Sequence, residues 1–155
     1  PLNEVEFIIQ PIKSGKIITS STFELIKWNY DYSDINSSCM LMFCSDFLNQ
    51  VLREENGNEE LYIEISNFLQ SVTVQNANAH LALLFSVLRY SGHLPLISSK
   101  AFLDPESGEF TENESHSFFT QSVSETWKMY LERSDYSEIK LNRTQRQQML
   151  DSLMI

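Results

Sequence analysis

NAHLALLFSVLRYSGHLP, residues Asn78 to Pro95, is the longest strongly apolar run in the chain. Leu81, Leu84, Phe85 and Leu88, with Ala77 one turn back, follow the three-and-four spacing of one helix face. Leu83 and Val87 add a second face. An apolar surface this wide predicts a helix packed on two sides, central to the domain rather than lying on its surface. Asn76 or Asn78 is placed to cap its start. Gly92 supplies the left-handed residue that ends it, and Pro95 cannot continue it.

Upstream, Ile35 to about Arg53 shows a helical pattern, with Met40, Phe43, Phe47, Leu48, Val51 and Leu52 on a broad face. Asp31, Ser33 and Asp34 are candidate caps. Asn56-Gly57 ends this helix and Asn58 starts the next, where Glu59 and Glu60 suit the first turn. Leu61, Ile65, Phe68, Leu69 and Val72 line that second helix to about Thr73. Its link to the central helix is short, so the two are expected as antiparallel neighbours.

Downstream of Pro95 the periodicity stops. Lys100 to Leu103 and Glu109 to Thr111 read as short strands around the turn formers Asp104, Pro105 and Gly108, with Phe102 and Phe110 expected to pair across them. After a polar link, Ser122 or Ser124 is placed to cap a helix carrying Val123, Trp127, Tyr130 and Leu131. Asn142 with Gln145 has the form of a capping box for the last helix, where Met149, Leu150, Leu153 and Met154 share a side.

Residues 1–28 differ in character. Glu4 to Ile9 and Ile17 to Ile26 are rich in β-branched residues and are separated by the turn signal Lys13-Ser14-Gly15-Lys16, which predicts an antiparallel pair. A lone hairpin is marginal in water, so these strands call for more sheet. With a first residue that is not Met and a helical pattern still running at Met154-Ile155, the chain reads as a fragment of a longer protein.

The 155 residues suit one domain with a real core. The composition, 42% apolar and 21% charged, is that of a globular protein. No apolar run reaches membrane-spanning length, and no signal peptide is visible. Net charge is −10; residues 1–90 hold 11 acids against 5 bases, and residues 91–155 hold 10 against 6. A chain without a basic block is by itself a poor ligand for nucleic acid, whose binding draws on neutralised phosphates. Cys39 and Cys44 lie about 140° apart on a helix and do not converge on a metal. Two free cysteines fit a reducing, cytoplasmic setting. The Asn-x-Ser/Thr triplets at Asn36, Asn113 and Asn142 are chance occurrences in a chain rich in Asn and Ser.

No convergent catalytic set is present. His80, His93 and His116 belong to no metal or hydrolase motif, and the chain has only four glycines and no phosphate loop. No metal and no cofactor are expected. Arg53 and Arg89 fall in last turns, where a cation suits the helix dipole. Either is also suited to flank an apolar groove and receive a partner's carboxylate. Arg143 and Arg146 open the last helix on an exposed polar face.

The ordered segments resemble a family. Arg89-Tyr90-Ser91-Gly92-His93-Leu94-Pro95 followed by Phe102 through Phe110 is similar to the Arg-Tyr-Leu-Gly-Phe-x-Pro and Phe-Asp-x-x-x-Gly-x-Phe elements of the bacterial recombination mediator RecO, in its Bacteroidetes-like branch. Ser91 and His93 depart from that pattern. Leu141 to Leu150 resembles its Leu-Ser-Arg-x-x-Arg-x-x-Leu-Leu element, and Val51 to Glu55 with Glu59 to Tyr62 is similar to its second helical stretch. The resemblance implies a mainly α fold: a helical bundle domain with a central buried helix and a short β-hairpin insertion, residues 30–155. Residues 1–29 before it would be the last strands of an OB-fold. It implies a non-enzymatic role in DNA repair and recombination. The implied partners are RecR and the acidic C-terminal tail of single-stranded DNA-binding protein, with DNA held mainly by the rest of the OB-fold. The four-cysteine zinc element of many relatives has no counterpart here. Arg53, Arg89, Leu52, Phe85 and Leu88 are the candidates for binding the tail peptide. The alternative is an acidic helical protein-interaction module with no DNA role.

Overall fold

A computed structural model describes residues 2–9, 20–27, 34–52, 59–133, 135–136 and 138–155. The turn expected at Lys13 to Lys16, the caps at Asp31 and Ser33, the helix end at Asn56-Gly57, the start at Asn58, and Arg53 lie outside the described residues. The chain divides into two compact units, Pro1–Glu54 and Glu55–Ile155. The architecture is mainly helical with two small antiparallel strand pairs.

In the first unit, β1 (Glu4–Ile9) pairs antiparallel with β2 (Ser20–Lys27), with irregularities of register between Glu4 and Val5 and between Phe7 and Ile9. Ile8, Phe23 and Leu25 are exposed. Helix α1 (Ile35–Val51) starts on Asp34, whose carboxylate accepts from both the backbone N–H and the hydroxyl of Ser37. Those bonds stabilise the anion and hold the Asp34 carboxyl below the usual range. The most buried residues of α1 are Leu41, Cys44 and Leu48. Of the expected face Leu48 is buried, Met40, Phe43, Phe47 and Leu52 are half-buried and Val51 is exposed, so the buried stripe is turned toward Leu41 and Cys44 and keeps only Leu48 of the expected set. The two stripes are adjacent on the helix, and spacing alone does not choose between them.

Cys39 is exposed, and Cys44 is buried with its thiol pushed up to about 12 by desolvation. The thiolate is the reactive form. One thiol is therefore expected to react with a maleimide in the native protein and two in urea. Cys39→Ser is expected to abolish the native reaction.

The second unit is built around α3 (Ala79–Tyr90), in which Ala79, Leu81, Leu83, Leu84, Phe85, Ser86 and Val87 are buried. The central helix expected to start at Asn76 or Asn78 and to stop at Gly92 is thus present. Helix α2 (Glu59–Thr73) packs against it, and its buried residues are Leu61, Phe68, Leu69 and Val72. α2 ends in paired bonds, Asn76 N–H to Ser71 O and Gln75 N–H to Val72 O, with Gln75 at φ +56°. α3 ends in the same pattern, His93 N–H to Leu88 O and Gly92 N–H to Arg89 O, with Gly92 at φ +73°. Only the second has the glycine that this left-handed position favours. The left-handed region costs a residue with a side chain about 1–2 kcal/mol, part of which a glycine returns through its freer unfolded chain. Gln75→Gly is expected to stabilise the unit by about 0.5 kcal/mol, read as a raised urea midpoint.

Strands β3 (Phe102–Asp104) and β4 (Glu109–Thr111) pair as Phe102 with Thr111, Leu103 with Phe110, and Asp104 with Glu109. The expected Phe102–Phe110 pair is off by one position. The turn from Pro105 to Gly108, closed by the Gly108 N–H on Asp104 O, sets Leu103 opposite Phe110, and both are buried. The Leu103 N–H donates to Ser124 Oγ at 2.9 Å, and that hydroxyl donates to Phe119 O at 3.2 Å. Ser124 therefore ties the hairpin to α4 (Gln121–Glu132) from inside the helix. The cap position belongs to Thr120, which makes no side-chain cap bond, and neither Ser122 nor Ser124 fills it. Helix α5 (Arg143–Leu153) opens on the full capping box: Asn142 Oδ1 accepts from the Gln145 N–H and Gln145 Oε1 from the Asn142 N–H, each at 3.0 Å. Met149 and Ser152 are its buried residues and Met154 is exposed. Trp127 Nε1–H donates to Ser152 Oγ at 2.9 Å and locks α4 to α5.

Candidate protein-interaction site

Phe85 and Arg89 are one turn apart on α3. Phe85 is fully buried, stacked on Tyr130 with ring centroids 4.2 Å apart and edge-on to Trp127 at 4.8 Å. Tyr136 extends the cluster, 5.3 Å from Tyr130 and 6.1 Å from Phe85. The Arg89 guanidinium lies over Tyr136, its Cζ 5.0 Å from the ring centroid, and one Nη–H donates to the Arg133 carbonyl at 2.6 Å. An aromatic face, a carbonyl and the C-terminal dipole of α3 all favour a cation at this place. The guanidinium is held, half-buried, in one orientation. A planar fork held this way suits a carboxylate, because little freedom is lost when the second partner arrives.

Around Arg89, Leu88 is half-buried and Tyr90 is exposed. Arg133 reaches Glu138 at 3.8 Å in an exposed ion pair, which contributes little to stability. Burial, followed by the negative charges of Glu64 and Glu60, raises the Tyr90 phenol. The end of α3 thus brings Arg89 and acids of α2 close to the same tyrosines, Tyr90 and Tyr136.

Of the residues singled out from the sequence, Arg89, Leu88 and Phe85 come together. Phe85 is the floor beneath the Arg89–Tyr136 pair and presents no surface of its own. Leu52 is half-buried at the end of α1, in the other unit. Tyr136 and Arg133 belong to this site although no periodicity marks them. They lie in the irregular segment after α4, which is anchored by Asn78 Nδ2–H donating to Ile139 O at 2.7 Å. Asn78 is the N-cap residue of α3, as expected, but its side chain makes no cap bond and instead donates through Nδ2 to that long-range carbonyl.

A pocket of about 540 Å³ opens between α2, α3 and residues 135–136. Phe68, Leu83 and Tyr136 form part of its wall, and Glu64, Asn67 and Asp135 are among its polar groups.

At the end of α3, Ser91 Oγ lies 2.8 Å from His93 Nδ1 and 3.1 Å from Leu88 O. A hydroxyl that donates to a carbonyl accepts from the imidazole, the reverse of what activates a serine nucleophile. His116 stacks on Phe118 at 5.7 Å. Among the described residues no group of three or more His, Cys, Asp or Glu side chains is placed to hold a metal ion. No described helix is long and apolar enough to cross a membrane. Comparison with models of protein families, with curated proteins and with solved structures found no match.

Proposed function

We propose that this chain is a recombinational DNA-repair mediator of the RecO type, represented mainly by its helical interaction domain. It works without catalysis of its own, in the bacterial cytoplasm, by binding RecR and the acidic tail of single-stranded DNA-binding protein and by aiding strand annealing and RecA loading. The observation that carries this reading is an order of segments. A buried helix ends on Arg89 to Pro95, the β3–β4 hairpin follows, and a helix opened by Asn142 comes last, in the sequence of the family's elements. The pinned Arg89 supports a carboxylate-binding role at the end of that helix. The β1–β2 pair is consistent with the last strands of an OB-fold. Ile8 at 64% and Phe23 at 70% exposure are apolar side chains that a larger sheet would cover. DNA contact is assigned to the remainder of that sheet.

The net charge of −10 favours the alternative, an acidic helical protein-interaction module with no DNA role. Retention of single-stranded DNA-binding protein on the immobilised chain separates the two. The mediator reading expects the intact protein to be retained and a form lacking its acidic tail to pass through. Equal passage of both forms would favour the alternative.

A further inference from the structure

Arg133 enters the site twice. Its carbonyl oxygen accepts from Arg89 at 2.6 Å, and its own guanidinium meets the Glu138 carboxylate at 3.8 Å. Arg133 closes α4 with extended backbone, φ −108° and ψ 145°, so the chain leaves the helix there, and Glu138 comes back to it. The atom that seats Arg89 belongs to Arg133, so covalent geometry keeps the two guanidiniums neighbours. A peptide segment with two carboxylates can engage both.

The Arg133–Glu138 contact is loose. At 3.8 Å it is longer than a hydrogen bond, and its side chains are 43% and 78% exposed. Water screens such a pair and keeps its worth small. A carboxylate arriving at Arg133 therefore meets one from the chain itself, held weakly enough to give way. Tethered this close, Glu138 competes at high effective concentration. Arg89 differs, since the partners that hold it are a ring and a carbonyl, neither of them an anion.

We infer that Arg133 is the second cation of the carboxylate-binding site and that Glu138 is its built-in competitor, displaced when an acidic peptide binds. The inference rests on the reading of Arg89 as a carboxylate site. It adds an autoinhibitory contact that lowers the affinity of the site and favours ligands with two carboxylates over those with one.

The test is fluorescence anisotropy of a labelled peptide carrying the acidic tail of single-stranded DNA-binding protein, titrated with the wild type, Glu138→Gln, Arg133→Gln and the double variant. Neither substitution touches the backbone, so the Arg133 carbonyl remains for Arg89. Glu138→Gln is expected to bind about two- to fivefold more tightly, the range set by the worth of an exposed pair. Arg133→Gln is expected to bind several-fold more weakly, and adding Glu138→Gln to it is expected to make little difference. Glu132→Gln removes the same charge from the exposed residue before Arg133 and is expected to change the affinity less than twofold. Equal affinity of wild type and Glu138→Gln would overturn the inference and leave the Arg89 reading standing. So would the same tightening with and without Arg133, which would make Glu138 a general repulsive charge. No binding by any of the folded proteins would overturn the inference together with the reading beneath it.

Discussion

Phe85→Ala is expected to cost about 3–5 kcal/mol, the range for removing a buried aromatic ring. The ring touches Trp127, Tyr130 and Tyr136 and is fully buried, so its loss leaves a cavity where α3 meets α4 and the segment before α5. The surrounding aromatic rings are large and interlocked and cannot collapse into the space without leaving their own contacts. A domain of this size is stable by only about 5–15 kcal/mol, so the variant sits near the limit of folding. Urea unfolding followed by tryptophan fluorescence measures the change. Phe85→Leu is expected to recover more than half of it, because most of the volume returns. A loss under 1 kcal/mol in Phe85→Ala would mean that the aromatic cluster does not hold the unit together.

Acid destabilisation through His80 is the second large effect. His80 lies in the first turn of α3, and burial, followed by the nearby positive charge of Arg146, pushes its imidazole down to about 4. In the unfolded chain it protonates near 6.5. Between those values the unfolded state binds a proton that the folded state refuses, so falling pH favours unfolding. The stabilisation is fully present above pH 6.5, declines as the pH drops and is gone below about 4. The difference corresponds to about 3 kcal/mol. Asp34 and Asp104, both held below the usual carboxylate range by hydrogen bonds to serines, act at lower pH and leave this window to His80. Urea midpoints from pH 7.5 to 4.5 are expected to fall in the wild type and to change much less in His80→Gln. Parallel curves for the two proteins would remove His80 as the cause.

The parts legible in the sequence are those with a local signature. The central helix follows from apolar spacing and Gly92, the last helix from the Asn142–Gln145 box, and the β3–β4 hairpin from Asp104, Pro105 and Gly108. The errors come from choices that local spacing leaves degenerate. In α1 two adjacent stripes compete, and Leu41, Cys44 and Leu48 are the more buried one. In the hairpin one step of register exchanges Phe102 for Leu103, and contact with the helical core sets it. Ser124 has the residue type of a cap and instead serves as a buried bridge between strand and helix. Tyr136, Ile139 and Leu141 are core residues on an irregular segment, where no period exists to reveal them. Their places depend on bonds between distant residues, Asn78 to Ile139 O and Arg89 to Arg133 O. For that reason Arg89 was readable as a candidate but its seat on Tyr136 was not, and the pocket beside it left no signal at all.

The central claim is that the helical domain receives an acidic peptide at Arg89. The most direct measurement is fluorescence anisotropy of a labelled peptide carrying the acidic C-terminal tail of single-stranded DNA-binding protein, titrated with wild type, Arg89→Ala and Arg53→Ala over a salt series. The prediction is saturable binding that weakens as salt rises and falls at least tenfold in Arg89→Ala, with circular dichroism showing the variant folded under the conditions of the titration. Equal affinity of wild type and Arg89→Ala, or no binding by the folded wild-type chain, would contradict it.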